Sequence, residues 1–170
     1  GGEHRIYPSK SEDNTKNPIP YRNKIKHLRS LFPDANIVDD PKAISPHHVA
    51  KSLSDQGVRH VRMVVGADRA DEFKNSIGKY VKRDTEPGYD PKKHYNFHSF
   101  DVLSAGDRDP DAEGAEGASG TKMREFAKKG DIKSFTQNTP TKNAKVARGI
   151  YNDVRKNLKE EIITINENLS

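Results

Sequence analysis

Ala118, Ser119, Gly120, Thr121, Lys122, Met123 and Arg124 stand in succession where a loop of glycines and acids gives way to a helical pattern. Small hydroxyl residues ahead of a helix leave backbone N–H groups pointing outward, and the helix dipole adds positive potential there. Such a helix start binds anions, phosphate in particular. Arg124 follows Gly120 and Thr121 by about one turn, so its guanidinium reaches the same anion. The same residues also serve as ordinary caps, since Ser and Thr begin many helices and Arg is a good helix former. A second segment, Val61-Arg62-Met63-Val64-Val65-Gly66-Ala67-Asp68-Arg69, reads as a buried strand, a glycine turn and a carboxylate. In open α/β sheets ligands bind beyond the carboxyl ends of strands. Asp68 there suits a ribose hydroxyl, a base amine or a metal-bound water; it equally suits the N-cap of a following helix.

The elements that must position these residues follow from periodicity and punctuation. His4 to Pro8 reads as a short strand and 9–20 as a polar loop. Ile25, Leu28, Leu31 and Phe32 recur at helical spacing, so about 20–32 is a helix stopped by Pro33. Ile37-Val38 is a short strand. Ser45-Pro46 opens a helix that ends at Gly57, with Pro well placed at the first helical position. Residues 60–65 form the clearest strand. A helix runs from Asp71 to about Val81, a polar loop follows over 83–96, and 97–104 is a further strand. The loop 105–118 leads into helices at about 119–129 and 131–137. Strands alternating with helices imply parallel β/α packing. From Thr139 the chain is helical and charged, with Val146, Ile150, Val154 and Leu158 four apart in a narrow stripe, as on a docking face. Ile162 to Ile165 form a small apolar patch, readable as a short strand or a partner contact.

Composition narrows the function classes. Thirty basic against 25 acidic residues give +5, mildly basic and suited to an anionic ligand without the dense clustering of a nucleic-acid binder. Hydrophobic residues are 31%, and adding the 12 glycines leaves the apolar share below the usual ~45–50%, which predicts a thin core. The absence of Cys excludes disulfides and thiolate metal sites. No apolar run approaches the ~18 residues of a membrane span. Asp107, Asp109, Asp111 and Glu113 alternate in the loop but lack the glycine and final glutamate of a calcium loop, so no metal site is assigned.

The strand-G-x-D element followed by S-x-T-x-x-R at a helix start resembles the HxGH nucleotidyltransferase superfamily, which includes adenylyltransferases of nicotinamide mononucleotide and phosphopantetheine and the cytidylyltransferases. The family's late motif, I-S-S-T-x-x-R, reads Ala118-Ser119-Gly120-Thr121-Lys122-Met123-Arg124 here, with Gly120 in place of one serine. The run from Val102 to Gly114, and Lys16-Asn17-Pro18-Ile19-Pro20, look most like cytidylyltransferase-like proteins of tailed phages. The resemblance covers about residues 3–137. It implies an α/β, Rossmann-like parallel sheet with flanking helices over 1–138 and a helical C-terminal extension and tail over 139–170. The family's H-x-G-H element is missing, and residues 4–8 look like its second strand, so the first strand, which lies mid-sheet, is expected to be absent.

The implied reaction moves a nucleotidyl group, CMP or AMP, from a nucleoside triphosphate to a phosphorylated acceptor and releases pyrophosphate. Ser119, Gly120 and Thr121 would hold the phosphates, and Arg124 would neutralise developing charge; Ser119, Thr121 and Arg124 are the catalytic candidates. Gly66 would admit the nucleotide, Asp68 would contact its base or ribose, and Arg69 and Lys16 are weaker additions. Mg²⁺ would accompany the triphosphate, bound mostly through substrate oxygens. The alternative is a non-enzymatic phage-particle structural or binding protein that keeps the nucleotide-binding fold. The settings implied are the host cytoplasm or the phage particle, with phage structural proteins, or an N-terminal fragment or partner chain completing the sheet, as partners and no membrane.

Overall fold

A computed structural model describes residues 2–105 and 120–169, with side chains through Leu158. Four strands and six helices follow in the order β1 Arg5–Ile6, α1 Tyr21–Leu31, β2 Asn36–Ile37, α2 Pro46–Asp55, β3 His60–Val65, α3 Ala70–Gly78, β4 Ser99–Ser104, α4 Gly120–Lys129, α5 Ile132–Gln137 and α6 Ala144–Leu169. The fold is α/β. All strand pairing is parallel, but the described strands form two ladders rather than one sheet: β1 with β2, and β3 with β4. The chain divides accordingly into two compact units, Gly1–Asp39 with Arg108–Ser170, and Asp40–Asp107.

In the first unit, the spacing of Val146, Ile150, Val154 and Leu158 does form a packing face. Ile150, Tyr151, Val154 and Leu158 of α6 are buried against Ala127 of α4 and Phe135 of α5. The Phe135 and Tyr151 rings meet edge to face at 5.4 Å between centroids. Polar residues on the same helix hold the surrounding elements. Arg155 Nη1 donates to the Ala127 carbonyl at 2.6 Å, at the end of α4, where a cation also complements the helix dipole. Asp153 pairs with His27 of α1 at 2.6 Å, and Asn157 donates to the Pro18 carbonyl. The backbone of α6 continues as helix through Ile162–Ile165, so that stretch is not a strand.

In the second unit, Ser45 caps α2 by accepting from the His48 N–H at 3.4 Å, and Pro46 occupies the first turn as expected. Gly57, at φ +87°, ends the helix: its N–H and that of Val58 return to the Ser54 and Leu53 carbonyls, a Schellman closure that only a left-handed residue permits. Strand β3 alternates between half-buried Val61, Met63 and Val65 and exposed His60, Arg62 and Val64. Helix α3 stops at Gly78, short of Val81, because Tyr80 and Lys82 pair instead with the backbone of Tyr95. Val49, Ala50, Leu53, Phe73, Ile77, Tyr95, Phe97 and Val102 supply the buried side chains. Among the described residues no helix is long and apolar enough to cross a membrane.

Phe135 is 1% exposed at the junction of α4, α5 and α6. Phe135→Ala should lower unfolding stability by about 3–5 kcal/mol, read as a fall in the urea midpoint, whereas Phe126→Ala at the margin of the cluster should cost clearly less.

Candidate functional site

Two groups of sequence-nominated residues emerge, one in each unit. The first surrounds the start of α4. Arg124 folds back over the opening turn of its own helix. A Cβ at Gly120 would fall 2.9 Å from its Nη1, so the missing side chain at Gly120 leaves the guanidinium its space. Arg124 Nη1 donates to the Lys16 carbonyl at 3.1 Å and Nη2 points at Thr121 Oγ1 at 3.4 Å. The structure therefore brings Lys16, Gly120, Thr121 and Arg124 together. It is the Lys16 carbonyl, rather than its ammonium, that makes the contact. No acid lies in the first turn of α4, and two lysines close its last turn. No acid of that turn therefore offsets the positive potential of the helix start. Ser119, and the acids Asp107, Asp109, Asp111 and Glu113, lie outside the described residues.

The carbonyl that holds Arg124 is itself held by a residue that pattern reading overlooked. Asp13 Oδ1 accepts from the Lys16 N–H at 2.6 Å, the Thr15 N–H at 2.8 Å, Thr15 Oγ1 at 2.8 Å and the Asn17 N–H at 3.2 Å. Its Oδ2 accepts from Asn17 Nδ2 at 2.8 Å. These donors, the Asn17 side chain first, hold the Asp13 carboxyl well below its usual range. The available signal was the D-x-T-x-N spacing, the mark of an aspartate bonding backbone two to four residues ahead. Lys24 Nζ anchors the preceding stretch by donating to the Ser9 carbonyl at 2.8 Å.

The second group lies at the end of β3. Gly66, Asp68 and Arg69 are exposed there. A Cβ on Gly66 would approach Asp68 Oδ1 to 2.9 Å, so Gly66 admits the carboxylate. Asp68 does not cap α3: the N-cap is Arg69, which makes no side-chain cap bond. Arg69 lies over the Phe73 ring at 4.6 Å and beside Glu72 at 3.7 Å, which occupies its charge locally. The first turn of α3 carries Asp71 and Glu72. With Asp68 they make this helix start unfavourable for phosphate and leave Asp68 suited to hydroxyl or amine donors. Among the described residues no three His, Asp or Glu side chains are close enough to hold a metal ion.

The depressed Asp13 sets a pH test. A carboxyl lowered in the folded state contributes stability that is present above its unfolded value, near 3.9, and is lost as pH falls through the folded value. Protection of the Thr15, Lys16 and Asn17 amides, taken relative to their intrinsic exchange rates, should persist at pH 4 and fall only in stronger acid. In Asp13→Ala those amides should exchange at least ten-fold faster at pH 7, with those of α6 unchanged.

No known protein family, curated protein or solved structure matches the chain.

Proposed function

We propose that the chain is a nucleotide-binding domain of the nucleotidyltransferase kind. The observation that supports this most is the Arg124 guanidinium, set over the α4 start by the Lys16 carbonyl above a glycine that makes room for it. A guanidinium and the N–H groups of a helix start are complementary to phosphate oxygens. In this reading Thr121, Gly120, Ser119 and Arg124 take the triphosphate, and Lys16 lends a flanking positive charge. By the resemblance, residues 1–138 would be the nucleotidyltransferase-like part and 139–170 its helical extension. The activity of the type is transfer of CMP or AMP from the triphosphate, accompanied by Mg²⁺, to a phosphorylated acceptor. Positioning and charge stabilisation would supply most of the catalysis.

A second reading, a phage-particle protein that binds nucleotide without transferring it, draws on the histidines. His27 bonds Asp153, His47 bonds Ser76, His48 bonds Ser45 and His60 bonds Ser99. Each of these four rings is thus engaged by a partner within its own unit.

Calorimetry with CTP and ATP, each with Mg²⁺, tests the shared core of both readings. Arg124→Ala should weaken binding by at least ten-fold, in line with the ~1.5–3 kcal/mol of a charge-assisted hydrogen bond, and Arg124→Lys should recover part of it. Equal affinity in wild type and Arg124→Ala would overturn the assignment. Pyrophosphate release by the purified chain at enzymatic rates would decide for the transferase against the binding module.

A further inference from the structure

The peptide group between Lys16 and Asn17 stands between two opposite charges. A peptide is planar and trans, so its N–H and C=O point in opposite directions. At one end the Asn17 N–H donates to Asp13 Oδ1 at 3.2 Å; at the other the Lys16 carbonyl accepts from Arg124 Nη1 at 3.1 Å. Turning this peptide about the chain would break both bonds. Its neighbours resist a turn as well. The Lys16 N–H donates to the same Asp13 oxygen at 2.6 Å, Asn17 Nδ2 donates to Oδ2 at 2.8 Å, and the Asp13 N–H returns to the Asn17 carbonyl at 3.0 Å. One residue further on, Asn157 of α6 donates to the Pro18 carbonyl. Residues 13–16 are exposed, so the turn is held by this one carboxylate rather than by burial.

We propose that Asp13 is a positioning residue for Arg124: by fixing the Lys16–Asn17 peptide it holds the guanidinium in the orientation that receives an anion at the start of α4. A carboxylate set against Arg124 itself would also orient it, but would occupy the charge that a phosphate needs. Arg69 shows that case, with Glu72 beside it at 3.7 Å. A carbonyl orients the guanidinium without neutralising it. The Asp13 charge acts from the far end of the peptide, where it polarises the N–H and C=O in series and makes the carbonyl a stronger acceptor. A long side chain ordered in advance gives up less freedom when a ligand arrives. The effect on affinity rests on the nucleotide-binding reading, whereas the ordering of Arg124 does not.

The test uses the full chain with isotope-labelled arginine, the Arg124 guanidinium signal being assigned by its loss in Arg124→Lys. Rotation of that guanidinium in the free chain should be slow. Asp13→Ala should speed it at least five-fold with the amide exchange of α6 unchanged, and Lys16→Ala should leave it slow, because the carbonyl remains. Calorimetry with inorganic tripolyphosphate reads the consequence. Asp13→Ala should weaken binding at least five-fold. Asp13→Asn, which keeps an acceptor oxygen and loses the charge, should weaken it less. In an Arg124→Ala background the Asp13→Ala change should cost under two-fold. Absence of tripolyphosphate binding by the wild type would overturn the nucleotide-binding reading, while slow rotation lost in Asp13→Ala would still support the positioning role. Three results would each overturn the proposal: Arg124 rotation unaltered by Asp13→Ala; tighter tripolyphosphate binding in Asp13→Ala, which makes the carbonyl a restraint that the anion must release; and an undiminished effect of Asp13→Ala once Arg124 is gone.

Discussion

The burial of one face of α6 is the constraint on which the first unit depends. Tyr151, Val154 and Leu158 pack on Phe135 and Ala127, and this fixes the rotation of the helix about its axis. Once that rotation is set, the intervening polar residues have no choice of direction. Asp153 meets His27, Arg155 meets the last carbonyls of α4, and Asn157 meets the Pro18 carbonyl. Three elements distant in the chain are thereby tied to one helix. Two of them, α4 and the loop ending at Pro18, carry Arg124 and the Lys16 carbonyl that orients it. Dispersion and apolar burial supply the energy, and hydrogen bonds of modest individual value supply the geometry.

The two helix starts nominated by sequence differ in electrostatic character, and the difference assigns their chemistry. Each has a glycine beside a charged side chain that folds into the space a Cβ would fill. At α4 the charge is a guanidinium with no acid in the first turn; at α3 it is a carboxylate followed by Asp71 and Glu72. The helix dipole favours anions at both ends alike, so side-chain charge decides between them. By side-chain charge the start of α4 suits an anion better than the start of α3. Motif position alone could not separate these cases, because each reads as a small-residue turn before a helix.

Much of the local structure was legible because local rules governed it. Pro33, Pro46 and Gly57 bound their helices where punctuation predicts, and β3 ends where the branched residues end. What escaped the reading was decided by distant partners. Residues 79–81 continue a helical pattern, yet Tyr95 captures the backbone of Tyr80 and Lys82. Ile162 to Ile165 have strand propensity, yet they follow an established helix, where propagation adds one bond per residue without a new nucleus. At the site, the Gly120, Thr121 and Arg124 cluster was legible from one-turn spacing. Lys16 was nominated for its ammonium and contributes its carbonyl. Asp13 was overlooked because a lone aspartate in a polar loop has no periodic context.

Pairing was the least legible feature, for a physical reason. Strand identity is encoded by alternation and branching within a few residues, whereas strand neighbours are chosen by the whole chain. The pattern of β3 states that one face is apolar through Val61, Met63 and Val65 and the other mixed through His60, Arg62 and Val64. It says nothing of which edge meets β4. The odd-numbered carbonyls answer that, and by doing so they commit the backbone of the three exposed residues to the opposite edge. A charged residue at the middle of an edge strand ordinarily guards against pairing with copies of itself. Arg62, exposed at the middle of β3, holds that place.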